Sequence, residues 1–289
     1  NYLFDFALSY FKHGRFRPSE YKRFMNTEIF TPHHLHRING GGIREADDML
    51  AEEAPVALVY NGIAHVVLMA TPADLPELAL GFSLSEGILQ QAREAYDIDV
   101  QQGCNGIEVH LEIASERFQA LKARRRSMSG RSGCGLCGID SLAAVQTDLP
   151  KVMRGSVIQA ADIQTALADL HKHQHLRSQT GAAHGAAWVE QGIIHHAFED
   201  IGRHNALDKL LGFGARGQID WQQGFVLISS RASYEMVAKA AMLGIGCVVA
   251  VSAPTALAVR MAEAAGITLA GFARPQQFGV YSHPQFIAA

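Results

Sequence analysis

Cys134 and Cys137 stand in the run Ser127-Met-Ser-Gly-Arg-Ser-Gly-Cys-Gly-Leu-Cys-Gly138, a C-x-x-C pair with three chemistries open to it. It can be half of a structural zinc site, a redox dithiol, or a thiol that carries sulfur. A structural zinc normally takes four ligands. No second C-x-x-C exists here, so His184 and His204 would have to complete the set from far along the chain. A thioredoxin-type dithiol sits where a strand runs into a helix, whereas Gly133, Gly135 and Gly138 suit a pliable loop. The third chemistry needs a thiolate. Lys122, Arg124, Arg125, Arg126 and Arg131 precede the pair, and nearby cations favour the thiolate over the thiol. Such a thiolate can attack a sulfane sulfur, hold it as a persulfide and pass it on. The plain alternative for Lys122 to Arg126 is a solvated helix face.

Other residues suit an anionic ligand. Glu199-Asp-Ile-Gly-Arg-His-Asn-Ala-Leu-Asp-Lys209 gathers Asp200, Arg203, His204, Asn205, Asp208 and Lys209 around a predicted helix start, where backbone N–H groups favour anions. The alternative is capping by Asp200 and a surface charge pair at Asp208. Ser229-Ser-Arg231 follows a buried strand and could hold a phosphate, or cap a helix. His184 lies in the small-residue segment Thr180 to Trp188, whose glycines allow close approach. His171, His173, His175, His195 and His196 resemble a metal cluster on paper. Their spacing turns the first three to different sides of a helix, which predicts a solvated surface.

The elements that must position these residues fall into two halves. Residues 1 to about 50 show no clear period and are expected to form an extension. Residues 51–150 are expected to form an α+β domain ending in the C-x-x-C loop. Its elements are two strands around Asn61-Gly62, a helix from Leu75 to Glu86, a strand from Gly106 to Ile113 and a basic helix from Glu116 to Arg126. The stretch 157–177 is predicted helical. Within 151–289, strands at 185–190 and 193–198 precede a helix from Arg203 to Leu211 stopped by Gly212. Strands at 225–230, 247–252 and 268–272 then alternate with helices at 234–243 and 254–265. This order implies an α/β fold whose ligands gather at the carboxyl ends of parallel strands, near Ser229 to Arg231, Ser252 and Phe272 to Gln277.

Composition narrows the class. The chain has 289 residues, a formal charge of -3 and four cysteines, so it neither favours nucleic acid or anionic membrane in general nor builds a disulfide framework. Cys104 and Cys247 stand alone, and Cys247 lies in an apolar run that predicts a buried thiol. The expected setting is the cytosol.

In order along the chain, Glu53-Ala-Pro-Val-Ala-Leu-Val-Tyr-Asn-Gly62, Ala70-Thr-Pro-Ala-Asp-Leu75, Ala79-Leu-Gly-Phe82, Ser85-Glu-Gly-Ile88 and Gly133-Cys-Gly-Leu-Cys-Gly138 are followed by the segments at Thr180 and Glu199. Ser229-Ser-Arg-Ala-Ser-Tyr-Glu-Met236 and Val251-Ser-Ala-Pro-Thr255 complete the series. Together they resemble the FdhD family of formate dehydrogenase accessory proteins. The resemblance implies a cytoplasmic sulfurtransferase that takes sulfane sulfur from a cysteine desulfurase. The sulfur goes to the Mo-bis(molybdopterin guanine dinucleotide) cofactor, for formate dehydrogenase. It implies Cys134 as the persulfide carrier with Cys137 as its partner. It also implies a C-terminal cytidine-deaminase-like three-layer α/β domain with a mixed, partly parallel sheet. The H-x-E and P-C-x-x-C signature of active deaminases is missing, so deaminase chemistry is not expected. The family's cofactor-binding segment maps onto Phe272, Ala273, Arg274, Pro275, Gln276 and Gln277. His184, Arg203, His204, Ser229 and Arg231 are expected to complete a guanine-nucleotide pocket, in a homodimer with no resident metal. A cofactor-binding chaperone without covalent sulfur transfer is the alternative.

Overall fold

Phe30–Asn39 (β1) and Gly42–Ala51 (β2) pair as an antiparallel hairpin in the computed structural model, which describes residues 28–103, 105–129, 149–153 and 155–289. Only the backbone is described at 125–129 and 218. The sequence shows no clear period before residue 50, yet the hairpin forms there. Its ladder mixes apolar pairs (Phe30 with Ala51, Ile38 with Ile43) with polar ones, His34 Nδ1 lying 2.9 Å from Asp47 Oδ1 and Arg37 donating to Asp48 at 3.3 Å. The apolar residues do not alternate regularly along either strand, so there is no period to read.

Apolar alternation does mark the next strands. Ala54–Tyr60 (β3) and Ile63–Ala70 (β4) turn at Asn61 and Gly62, both with positive φ (45° and 78°), the conformation that an Asn-Gly hairpin turn requires. Leu75–Ser85 (α1) opens with proline in its first turn. Ala95–Gly103 (β5), Gly106–Ile113 (β6) and Ser115–Ser129 (α2) follow. The sheet order is β4-β3-β6-β5, with β3 and β6 parallel. Val56, Leu58, Val109 and Leu111 bury their side chains against Leu75, Leu78 and Leu80 of α1. Strand β5 escapes the sequence reading because five of its nine residues, Asp97, Asp99, Gln101, Gln102 and Gly103, are polar or glycine.

The second half runs Ile158–Gln159 (β7), Ala160–Asp169 (α3), His175–Thr180 (α4), His184–Glu190 (β8), Ile193–Asp200 (β9), Arg203–Phe213 (α5), Phe225–Ile228 (β10), Tyr234–Met242 (α6), Cys247–Ala250 (β11), Ala256–Ala265 (α7), Thr268–Arg274 (β12), Gln277–Ser282 (β13) and Ile287–Ala288 (β14). Its main sheet has the order β13-β12-β11-β10-β8-β9. Strands β10, β11 and β12 are parallel, and the other pairs are antiparallel. Both faces are covered. Val226, Ile228 and Val248 pack with α5, α6 and α7, while Phe225, Leu227 and Val249 pack with Ile163 and Ala166 of α3. This is the expected three-layer α/β arrangement with a mixed sheet. Cys247 is buried at 5 % exposure, as its apolar run predicts.

Two features join the halves. First, α1 crosses α5 at a pair of glycines. A Cβ on Gly81 would lie 1.8 Å from Asp208 O, and one on Gly212 would lie 2.0 Å from Glu77 O. Gly212 therefore sits inside α5 instead of stopping it, because backbone contact replaces side-chain packing there. Second, Asp200 and Lys209 form a buried pair at 2.8 Å, each side chain 0 % exposed. Asp200 also accepts from Thr71 N–H at 3.0 Å, Gly202 N–H at 2.8 Å and Asn205 Nδ2 at 3.0 Å. Lys209 donates to the carbonyls of Thr71 (3.3 Å) and Glu199 (3.1 Å). Every lone pair and proton that matters has a partner, which is the condition for tolerating buried charge.

A second buried network takes up Asp208, for which a surface charge pair was the alternative reading. Lys239 donates to Asp208 Oδ2 (3.0 Å), Ser85 Oγ (2.8 Å) and Glu86 Oε1 (2.8 Å), and Ser85 Oγ donates to Asp208 Oδ1 at 2.7 Å. Burial pushes the Asp208 carboxyl up, and Lys239 opposes it; burial would lower the Lys239 ammonium, but the Asp208 and Glu86 carboxylates together hold it above its ordinary value.

Lys209→Met leaves the Asp200 charge buried without a counter-ion and should cost about 3–5 kcal/mol of stability in urea unfolding. Asp200→Asn combined with Lys209→Met should recover part of that loss. Gly212→Ala forces α1 and α5 apart and should cost at least about 3 kcal/mol in the same assay, against a small effect for Ala at exposed surface positions.

Candidate functional site

The register brings the expected anion-binding residues to one end of the main sheet. Strand β8 runs antiparallel to β10, so His184 at its start lies beside Ser229 at the end of β10. Gly185 N–H donates to Ser229 Oγ at 2.8 Å, and Ser229 N–H donates to Gly185 O at 2.9 Å. His184 also pairs with Asp200 at the end of β9, and α5 starts three residues later with Arg203 and His204. Arg231 and Ser252 follow the same ends of β10 and β11, and Phe272 lies near the end of β12, its N–H donating to Ser252 O at 3.1 Å. Carboxyl ends of parallel strands are where such sheets gather ligands.

The Glu199 to Lys209 segment divides its labour. Asp200, Asn205, Asp208 and Lys209 are consumed in joining the halves; Asn205 Nδ2 donates to Met69 O at 2.8 Å as well. Arg203 and His204 point to the site instead. Glu235, from the first turn of α6, meets both: its Oε2 lies 2.8 Å from His204 Nε2 and 3.7 Å from Arg203 NH2. The His204 contact holds the Glu235 carboxyl below its ordinary value. Arg177, at the end of α4, donates to Ala183 O at 3.1 Å and acts electrostatically on His184. Glu199 fixes α4 by accepting from Leu176 N–H (2.7 Å) and Arg177 N–H (2.9 Å). Arg177 and Glu235 were not read as site residues from the sequence. Their packing brings them in, and only Glu235 lay within a motif, without a spacing that distinguished it.

The segment Phe272 to Gln277 is not a tail after the last strand. It is the end of β12 and the turn into β13, with Arg274 opposite Gln277. Phe272 is 55 % exposed and holds a left-handed φ of 50°, unusual for an aromatic residue and a strain that functional sites often store. Arg274 turns back to donate to Val251 O (2.5 Å) and Ala273 O (2.7 Å), so its guanidinium braces this turn. Ala273 is buried in the sheet. Pro275 and Gln276 form the turn between the strands.

Cys134 and Cys137 lie outside the described residues, as do Cys104 and Arg131. Of the preceding cations, Lys122 sits 4.6 Å over the Phe118 ring and Arg124 donates to Glu86 O at 3.1 Å. Both thus have local structural contacts. Among the described residues, no group of three or more His, Cys, Asp and Glu is placed to hold a metal ion, and no helix is long and apolar enough to cross a membrane.

The arrangement can bind an anion with several acceptor oxygens: Arg177, Arg203 and Arg231 are cationic, Ser229 offers a hydroxyl, and Glu235 is the carboxylate that meets Arg203 and His204. Glu235→Gln tests how this carboxylate holds the site. Its contribution to stability is in place above the ordinary value of 4.5 and is lost as pH falls through its lower folded value. The variant should therefore show a flatter decline of Tm with acidification below about pH 4.5 than the parent, the effect being small because the group is partly solvated.

Comparison with known proteins now bears on the chain. The model of the FdhD/NarQ family matches residues 51–288. The Sulfur carrier protein FdhD of Cupriavidus necator is 55% identical over 253 residues, which is 87% of this chain and 88% of that protein. A crystal structure of a candidate formate dehydrogenase accessory protein from Desulfotalea psychrophila superposes with a TM-score of 0.76 at 24% identity. It covers 90% of this chain and 100% of that one, and so supports the fold. The chain belongs to the FdhD/NarQ family.

Proposed function

We propose that this protein is a sulfur carrier of formate dehydrogenase maturation that works as a persulfide-carrying sulfurtransferase in the cytoplasm. The observation that carries the reading is its 55% identity, over most of its length, to a protein named as a sulfur carrier. The C-x-x-C pair supplies the chemistry. The Cys134 thiolate attacks the outer sulfur of a persulfide on a cysteine desulfurase. A new S–S bond forms, the donor's S–S bond breaks, and the donor leaves as a thiolate. The Cys137 thiolate then attacks Cys134 Sγ. This closes a Cys134–Cys137 disulfide and expels the outer sulfur as sulfide to the acceptor, the two electrons coming from the thiols.

The acceptor is the Mo-bis(molybdopterin guanine dinucleotide) cofactor, as substrate. The cationic sheet end suits its diphosphate: Arg177, Arg203 and Arg231 offset its charge, Ser229 donates to an oxygen, and His184 and His204 line the approach. The exposed ring of Phe272 offers a stacking surface for guanine. Arg274, with Pro275, Gln276 and Gln277, keeps that ring presented.

Incubation with a cysteine desulfurase and cysteine should add one sulfur to Cys134, read by intact mass under non-reducing conditions. Cys137→Ala should accumulate the same adduct but fail to release sulfide. If Cys134→Ala/Cys137→Ala still supports formate dehydrogenase activity in a complemented strain, the protein is a cofactor-binding chaperone without covalent transfer.

A further inference from the structure

The cationic sheet end holds more nitrogens than partners. His184 Nδ1 and Arg203 Nε are both buried, and neither has a hydrogen-bond partner among the described residues. A buried polar atom without a partner costs stability, and one entering ligand could satisfy two that lie in the same cluster. Positive charge dominates around them, which suits an anionic ligand.

The surroundings of His184 come from four packed elements. Arg177 on α4 and Arg203 and His204 on α5 all disfavour a positive charge on its ring, while Asp200 on β9 favours one. Asp200, however, is saturated by Lys209, Thr71, Gly202 and Asn205. Glu199 on β9 is spent on α4, and Glu235 on α6 faces His204 and Arg203. Burial first, and then the fields of Arg177, Arg203 and His204, hold His184 below its ordinary value. An entering anion reverses the local field.

We propose that anion capture at this end is coupled to a proton: His184 is neutral in the empty cluster and becomes an imidazolium as a diphosphate ester enters. The proton comes from solvent, and the ester supplies the acceptor that the buried nitrogen lacks. Binding then strengthens toward acid pH, and release is favoured as the pH rises. This rests on the reading that the sheet end receives the cofactor's diphosphate, and it adds a role for His184 that a fixed cation could not fill.

The probe is a guanosine diphosphate sugar, whose diphosphate is esterified at both ends and has no proton of its own to exchange near neutrality. Calorimetry is run in two phosphate-free buffers of different ionisation enthalpy. The expected result is a buffer-dependent enthalpy that reports net proton uptake, with Kd about fivefold tighter at about pH 6 than at about pH 8. His184→Gln should abolish both effects, and His173→Gln, at an exposed histidine away from the sheet end, should keep them. Binding without proton uptake overturns the coupling while leaving the diphosphate reading in place. Uptake that persists in His184→Gln overturns the assignment to His184. No binding by the unaltered protein at either pH overturns both readings. Should His184→Gln fail to fold, the two-buffer measurement on the unaltered protein still decides the coupling, and His184→Asn supplies the second variant.

Discussion

The buried Asp200–Lys209 pair is the contact on which the rest of the arrangement depends. A lysine and an aspartate both fully out of water are costly unless each is saturated, and here saturation draws on both halves of the chain. Thr71 closes the network from the end of β4, while Gly202 and Asn205 close it from the start of α5. The same few residues therefore dock the first sheet and set the angle at which α5 leaves β9. That angle puts Arg203 and His204 at the sheet end.

Charges in this protein are accordingly of two kinds. Asp208 and Lys239, like Asp200 and Lys209, neutralise each other in the interior and are removed from any chemistry with a ligand. Arg177, Arg203 and Arg231 are left with positive charge in excess at one rim, and Glu235 tempers it. A short sequence segment thus supplies both kinds, with residues separated by the turns of one helix. An incoming anion meets positions already fixed by the interior, so little ordering is needed for them when it binds.

Much of this was legible in the sequence, and the exceptions have physical causes. The Asn61-Gly62 turn, the α7 helix ending at Gly266 and the parallel run β10-β11-β12 all follow from local rules, since the turn chemistry and apolar period agree with the final fold. The β1–β2 hairpin has no regular apolar alternation, and β13 follows a turn at Pro275 and Gln276 with no strand period of its own to mark it. Gly212 looked like a helix stop because glycine usually is one, whereas its role is set by a helix distant in sequence. Asp208 looked like a surface charge for a similar reason: its partners, Ser85 and Lys239, come from other elements. His184, Arg203, His204, Ser229 and Arg231 were readable as candidates from chemistry and resemblance, but that they share one end of a sheet follows from the antiparallel placement of β8 beside β10. Arg177 and Glu235 needed the packing itself.

The glycine crossing of α1 and α5 has a consequence for how such a chain can drift. At most core positions a substitution can be absorbed by neighbours that change in turn. At 81 and 212 the obstruction is backbone carbonyl or amide, which no compensating side-chain replacement can remove. These two sites are closed to every other amino acid as long as the helices cross where they do. Any side chain at either position would require the helices to separate, so the crossing is fixed by two residues that contribute no side chain at all.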